Sequence, residues 1–233
     1  MTATLHVHPT APLAERVLLP GDPGRALLLA QSLLREPRMF NHNRGLWGYT
    51  GTAPDGAPLT IQSTGMGGPS AAIVIEELIR LGARRLVRVG TCGALVGGVA
   101  LGDVIVAREA ISADGASRAL GADGRVAADP QLTAALEAAA AADGGARAGA
   151  VYTTDLFYDP AGRHADPAET ADGALAIEME AATVLQLGAL RGVPAGCVLA
   201  VSDLLGPQRG RIAPEAMEQA ALRIGRIALA ALR

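Results

Sequence analysis

The chain has 233 residues, half of them hydrophobic, with 20 arginines and no lysine against 23 acids, giving a net charge of −3 and a pI of about 5.8. That length makes one large domain or two small ones, with ample material for a core. The slight negative charge argues against a nucleic-acid-binding or membrane-surface protein.

No apolar run approaches the roughly 18 residues that cross a bilayer. No basic stretch leads into an apolar one with a small-residue cleavage site, so a soluble cytoplasmic protein is expected. Cys92 and Cys197 stand far apart in apolar or turn settings and are expected as buried free thiols.

The chain opens Leu5-His6-Val7-His8-Pro9. In an extended segment both histidines point the same way. No third ligand follows at metal-site spacing, and an unstructured terminus is the simpler expectation. Arg16 to Leu19 reads as a short buried strand, Pro20 to Pro23 as a turn, and Gly24 to Leu34 as a helix. Gly21 lets a ligand approach the backbone closely. Arg25 falls in a first helical turn, where the dipole disfavours a cation unless an anion lies beside it; the other reading is an exposed arginine. Asn41 to Gly51 is a polar turn feeding a strand, with Trp47 and Tyr49 on one face and assigned to the core. Pro54-Asp55-Gly56 is a hairpin turn, and Leu59 to Ser63 the return strand.

Ser63 to Ser70 is a glycine loop leading into a helix over Pro69 to Leu81 that Gly82 ends. The loop lacks the Gly-Lys-Ser/Thr close of an ATP-binding loop and is not GxGxxG. Arg85 to Val89 reads as a strand and Gly90 to Ala94 as a sharp turn. Arg88 is the odd residue there. A guanidinium in an otherwise buried run must meet an anion. It meets either an internal carboxylate or a bound oxyanion, for which Arg88, the Thr91 hydroxyl and the glycine amides form a cradle.

Gly102 to Ala107 is a strand, Ala127 to Ala142 a helix begun by Asp129-Pro130, and Ala148 to Thr153 a strand, followed by a polar surface flap over 159–173. From Leu175 an apolar strand runs into Glu178 and Glu180 and then a helix. The two acids share a side if the segment is extended. They read as a helix N-terminal pair, a glycosidase-like acid pair or a grip for vicinal hydroxyls. Val198 to Leu205 is a buried strand ending in Ser202-Asp203, at the strand edge where α/β proteins bind ligands. Pro214 starts a last helix with Met217, Ala221, Ile224 and Ala228 as its apolar stripe. Strands alternate with helices without a linker or internal repeat, so one α/β domain over 1–233 is expected.

The stretches Leu19 to Pro23, Asn43 to Gly45, Gly65 to Ser70, Arg88 to Ala94, Asp155 to Tyr158, Glu178 to Ala181 and Ser202-Asp203, in this order, resemble the hexameric nucleoside phosphorylase family. That family includes bacterial purine nucleoside phosphorylase and uridine phosphorylase. The resemblance implies a central mixed β-sheet, partly barrel-like and flanked by helices. It also implies a homohexamer built as a trimer of dimers, and reversible phosphorolysis of a nucleoside to free base and pentose 1-phosphate. Inorganic phosphate is the co-substrate; no metal or organic cofactor is implied. On this likeness Gly21, Arg25, Arg88 and Thr91 form the phosphate site, joined by Arg44 from across a dimer interface. Met66, Met179 and Glu180 form the ribose site, with Glu180 on the 2′ and 3′ hydroxyls. His6, with His8 as its rival, reaches the 5′ hydroxyl from the neighbouring subunit. Cys92, Gly93, Phe157, Ile177, Glu178, Ser202 and Asp203 belong to the base site. Arg88 and Asp203 are the catalytic pair: one orders the phosphate beneath C1′, the other, protonated, donates to purine N7.

The Ser202-Asp203 pair is similar to the purine enzymes. Gly65 to Ser70, Gly90-Thr91 and Asp114 to Ser117 resemble uridine phosphorylases, as does Arg163, although Ala161 stands where those enzymes carry glutamine. The arginine that supports the aspartate in the purine enzymes falls at Ala216, leaving Arg209 or Arg211 for that role. Purine is the expectation and uridine the alternative; a hydrolytic nucleosidase and a non-catalytic nucleoside-binding module are the other readings.

Overall fold

The structure is a computed structural model that describes residues 4–158, 173–205 and 209–233. The flap, with Ala161 and Arg163, lies outside the described residues but for Gly173. The first half comprises β1 (Arg16–Leu19), α1 (Pro23–Leu33), β2 (Arg35–Asn41), β3 (Gly48–Thr52), β4 (Pro58–Gln62), α2 (Gly68–Leu81) and β5 (Arg85–Ala94). The second half comprises β6 (Val104–Ser112), α3 (Gly115–Ala119), β7 (Arg125–Ala127), α4 (Pro130–Ala142), β8 (Arg147–Thr153), β9 (Ala176–Glu178), α5 (Ala181–Arg191), β10 (Ala195–Leu204), β11 (Gly210–Arg211) and α6 (Pro214–Ala231).

The helix ends follow local chemistry. Asp22 caps α1 by accepting the Arg25 N–H at 2.7 Å, and Asp129 caps α4 by accepting the Leu132 N–H at 2.8 Å. Proline stands in the first turn of α1, α2, α4 and α6, where its missing N–H costs nothing.

Strand β5 is the hub of the sheet. Along one edge it runs parallel to β10 from Leu86 to Ala94. Its other edge is shared: β1 pairs with Arg85 to Arg88, and β9 pairs with Gly93 and Ala94. The pairings β5–β10, β10–β6, β6–β8, β8–β9 and β9–β5 close a mixed barrel. Beyond β1 the sheet continues through β4, β3 and β2. Between Arg88 and Gly93 the hub has a partner on one edge only. A single partner strand takes only every second backbone N–H and C=O, so the others point into the gap between β1 and β9.

Alternation along β5 splits the interior. Leu86 faces a core shared with α2 and α5, and Val87 and Val89 face one shared with α1, α4 and α6. Ala221, Ile224 and Ala228 of α6 are buried, as their spacing predicts, with Met217 partly buried at the end of the stripe.

Four expectations change. Gly90 to Ala94 is not a turn: β10 holds that half in the ladder as strand. Arg35 to Asn41 forms a strand the sequence did not suggest, with its first five residues exposed. Trp47 is 40% exposed, whereas Tyr49 is buried. The opening segment is tied down from Thr4 onward, with Val7 fully buried.

Candidate active site

The mixed barrel and the fork in its hub strand leave a cleft of about 660 Å³ at the carboxyl ends of β1, β5 and β10. Arg88 forms its floor. The guanidinium is buried at 4% exposure, and carboxylates engage two of its nitrogens: Nε donates to Glu178 at 2.9 Å, and Nη2 forms an ion pair with Glu180. Burial pushes this guanidinium down, but the Glu180 and Glu178 charges push it further up, above its ordinary value. The sequence left an internal ion pair and a bound oxyanion open for Arg88, and the ion pair is formed. It faces the cleft all the same. Gly90 makes this possible. A Cβ there would lie 2.7 Å from Arg88 Cζ and Nη2, so the guanidinium rests on the strand where a side chain is missing.

The two acids divide the work. Glu178 is saturated: besides Arg88 it accepts the Thr153 hydroxyl at 2.6 Å and the backbone N–H groups of Glu180 and Ala181 at 2.8 Å. It thus caps α5 while fixing Arg88. Burial, partly opposed by Arg88, holds the Glu178 carboxyl above the usual range. Glu180 is ion-paired with Arg88 and accepts the Gly67 N–H, which joins the glycine loop to the floor. Of the three readings for this pair, helix capping describes Glu178, and Glu180 is the acid bonded to the loop lip.

Gly21, Arg25 and Thr91 line the same end of the cleft as Arg88. Arg25 makes no ion pair of 4.0 Å or less among the described residues. Burial lowers its guanidinium, Asp22 raises it and Arg88 lowers it again. The Glu180 charge raises it in turn, so one carboxylate acts on both guanidinium groups.

Asp203 stands at the other end. Strand β10 pairs Val201 with Cys92 and Asp203 with Gly93, so Ser202 is an extra residue that bulges the strand and aims the acid. Ser202 Oγ lies 2.7 Å from Asp203 Oδ2 and 3.2 Å from the Cys92 carbonyl. Of the two candidate supporting arginines, Arg211 faces Asp203 across β11, its Nε 3.8 Å from Oδ1. Cys92, Gly93 and Ile177 lie beside it, and Phe157, Met66 and Met179 line the same cleft. Burial raises the Cys92 and Cys197 thiols, so both stay protonated and inert.

Two sequence candidates lie elsewhere. His6 and Arg44 do not line their own chain's cleft. Arg44 is exposed on a 3-10 turn with φ 57°, and His6 sits against Glu77 of α2. His8 is exposed, its ring on the Leu5 carbonyl at 3.2 Å. Thr154, Leu156, Leu205 and Arg211 line the cleft without having been singled out as lining residues. Glu77 was missed too, although an acid on the buried face of α2, beside Val74 and Leu78, is itself a signal.

A mixed α/β barrel whose hub arginine, a second cation and a pair of acids share one cleft defines a protein built to hold a small oxyanion beside a polar organic ligand. The chain belongs to the Phosphorylase superfamily, whose family model matches residues 15–233. It is similar to proteins named purine nucleoside phosphorylase DeoD-type. It is 40% identical to that of Oceanobacillus iheyensis over 195 residues, 82% of this chain and 83% of the relative. It is 40% identical to that of an Exiguobacterium species (83% and 82%), and 38% identical to that of Caldanaerobacter subterraneus subsp. tengcongensis (83% and 84%). No helix among the described residues is long and apolar enough to cross a membrane.

Proposed function

We propose that this protein catalyses the reversible phosphorolysis of purine nucleosides, yielding free base and (deoxy)ribose 1-phosphate. The observation that carries the reading is the convergence of Arg25 and Arg88 on one end of a cleft whose other end holds Asp203. The names of the relatives, all purine enzymes, support the choice of base.

In this reading phosphate lies between Arg25 and Arg88, near Gly21 and Thr91, and a phosphate oxygen attacks C1′. Glu180 holds the 2′ and 3′ hydroxyls, with Met66 and Met179 against the sugar. The N-glycosidic bond breaks as the C1′–O bond forms, and its electrons go to the base. Asp203 acts as general acid toward purine N7, with Phe157 and Ile177 flanking the ring and Cys92, Gly93 and Ser202 completing the base end; Glu178, expected there from the sequence, instead holds Arg88. The arginines supply positioning and charge complementarity to a phosphate dianion facing a sugar cation. Arg44 and His6, both outside their own cleft, serve the cleft of a neighbouring copy in a homohexamer built from dimers. The chain 1–233 acts as one catalytic domain in the cytoplasm.

Hypoxanthine release from inosine, measured with and without phosphate, tests this. Release is expected only with phosphate, and Arg88→Ala is expected to lower it about 10²–10³-fold. Equal release without phosphate makes the protein a nucleosidase, turnover of uridine alone makes it a pyrimidine enzyme, and binding of inosine without turnover makes it a binding module.

A further inference from the structure

Glu77 is a buried acid outside the cleft, and its bonds are unusual. Its carboxylate accepts the backbone N–H of Leu5 at 3.1 Å, of His6 at 3.0 Å and of Val7 at 2.7 Å, and it also meets His6 Nδ1 at 2.8 Å. Burial pushes the Glu77 carboxyl up, but the Val7 N–H, the His6 ring and the other N–H groups outweigh this and hold it below its ordinary range. Glu77 is therefore ionised and acts only as an acceptor, so the Nδ1 it faces carries the proton. Nε2 of His6 makes no hydrogen bond among the described residues, on a side chain 31% exposed, and is left open to a ligand. Asn43, next to Arg44, donates to the His6 carbonyl at 2.9 Å. One clasp thus fixes the terminal segment and the ring direction, and ties them to the Arg44 turn. A clasp meant only to hold the chain needs the three N–H bonds and not the ring.

We propose that Glu77 is a positioning residue for substrate recognition. It sets His6 so that Nε2 hydrogen-bonds the 5′ hydroxyl of a nucleoside bound in a neighbouring copy's cleft. This rests on the phosphorolysis reading above. It assigns the 5′ end of the sugar to His6 over His8, whose ring no acid holds among the described residues.

The test compares inosine with 5′-deoxyinosine, which lacks the hydroxyl, in the full-length protein with saturating phosphate. The wild type is expected to favour inosine about tenfold in kcat/KM, the worth of one hydrogen bond. Glu77→Gln, which loses the ionised acceptor, is expected to remove that preference by slowing inosine alone, with 5′-deoxyinosine unchanged. His6→Ala is expected to do the same, and the double variant to add nothing further. Glu77→Asp, which keeps the charge on a shorter arm, is expected to fall in between. Equal losses on both substrates make Glu77 a purely structural clasp and overturn the proposal, as does a wild type that turns both over equally while still requiring phosphate. A wild type inactive on inosine in phosphate overturns the phosphorolysis reading instead.

Discussion

Replacing Gly90 by alanine puts one methyl where Arg88 lies. The new Cβ would sit 2.7 Å from Arg88 Cζ and Nη2 and 2.9 Å from Leu199 Cδ2. Unstrained contacts need about 3.5–4.0 Å, so something must move by close to 1 Å. A free arginine tip would swing away, but this one is pinned by Glu178 at 2.9 Å and by Glu180. Leu199 is fully buried in β10 and has no room either. The overpacking is expected to cost about 1–3 kcal/mol, which for a chain of this size is a fall in Tm of about 3–10 °C. The displaced guanidinium is expected to raise the KM for phosphate and lower kcat/KM by up to about 10²-fold. Coupled inosine phosphorolysis over a phosphate series reads the kinetics, and thermal melts read the stability. Gly97→Ala is the control, since a Cβ there meets nothing within 4 Å; it is expected to match the wild type. If Gly90→Ala keeps the wild-type KM for phosphate and Tm, the guanidinium is not clamped as described and the reasoning fails.

Gly188→Ala in α5 places a Cβ 2.5 Å from Ala195 Cβ and 2.8 Å from the Val193 carbonyl, both fixed. It is expected to destabilise by about 1–3 kcal/mol without changing KM for either substrate, as melts and steady-state rates will show. Asp55 bonds Arg16 through both oxygens, at 2.7 and 3.1 Å, and this partner lowers its carboxyl to about 2. A depressed acid stabilises above its unfolded pKa and loses that contribution as pH falls through the folded one. Discounted for exposure this is about 1 kcal/mol, so Asp55→Asn is expected to narrow its Tm gap from the wild type between about pH 4 and 2. Ser202→Ala removes the hydroxyl 2.7 Å from Asp203 and is expected to lower kcat about tenfold. Arg211→Ala removes an exposed partner at 3.8 Å and is expected to change kcat less than about threefold; the reverse ranking would show that the arginine supports the acid.

Local chemistry made much of this fold legible. Asp22, Asp129, Pro214 and Gly82 mark helix ends by capping rules that need no distant partner. Arg88 was legible as an anomaly because a charge in a buried run demands a partner whatever the fold. What could not be read depends on pairing. Gly90 to Ala94 is rich in glycine and reads as turn, and only its ladder with β10 makes it strand. Strand β2 has no apolar alternation, and its ladder with β3 and its bonds to Thr10 hold it. The aim of Asp203 depends on a one-residue bulge set by the register with β5. Glu77 meets Leu5 to Val7 across some 70 residues, a contact that no window along the chain contains.

The fork in β5 bears on how such a protein diversifies. Main-chain amides carry no genetic identity, so donors exposed where one neighbouring strand stops and another begins survive any replacement of the residues that bear them, proline excepted. Mutation at Thr91 or Cys92 alters the wall of the cavity without erasing those donors. On the proposed reading, descendants of this chain are free to change what they accept at the Asp203 end while the backbone groups beside Arg88 stay the same.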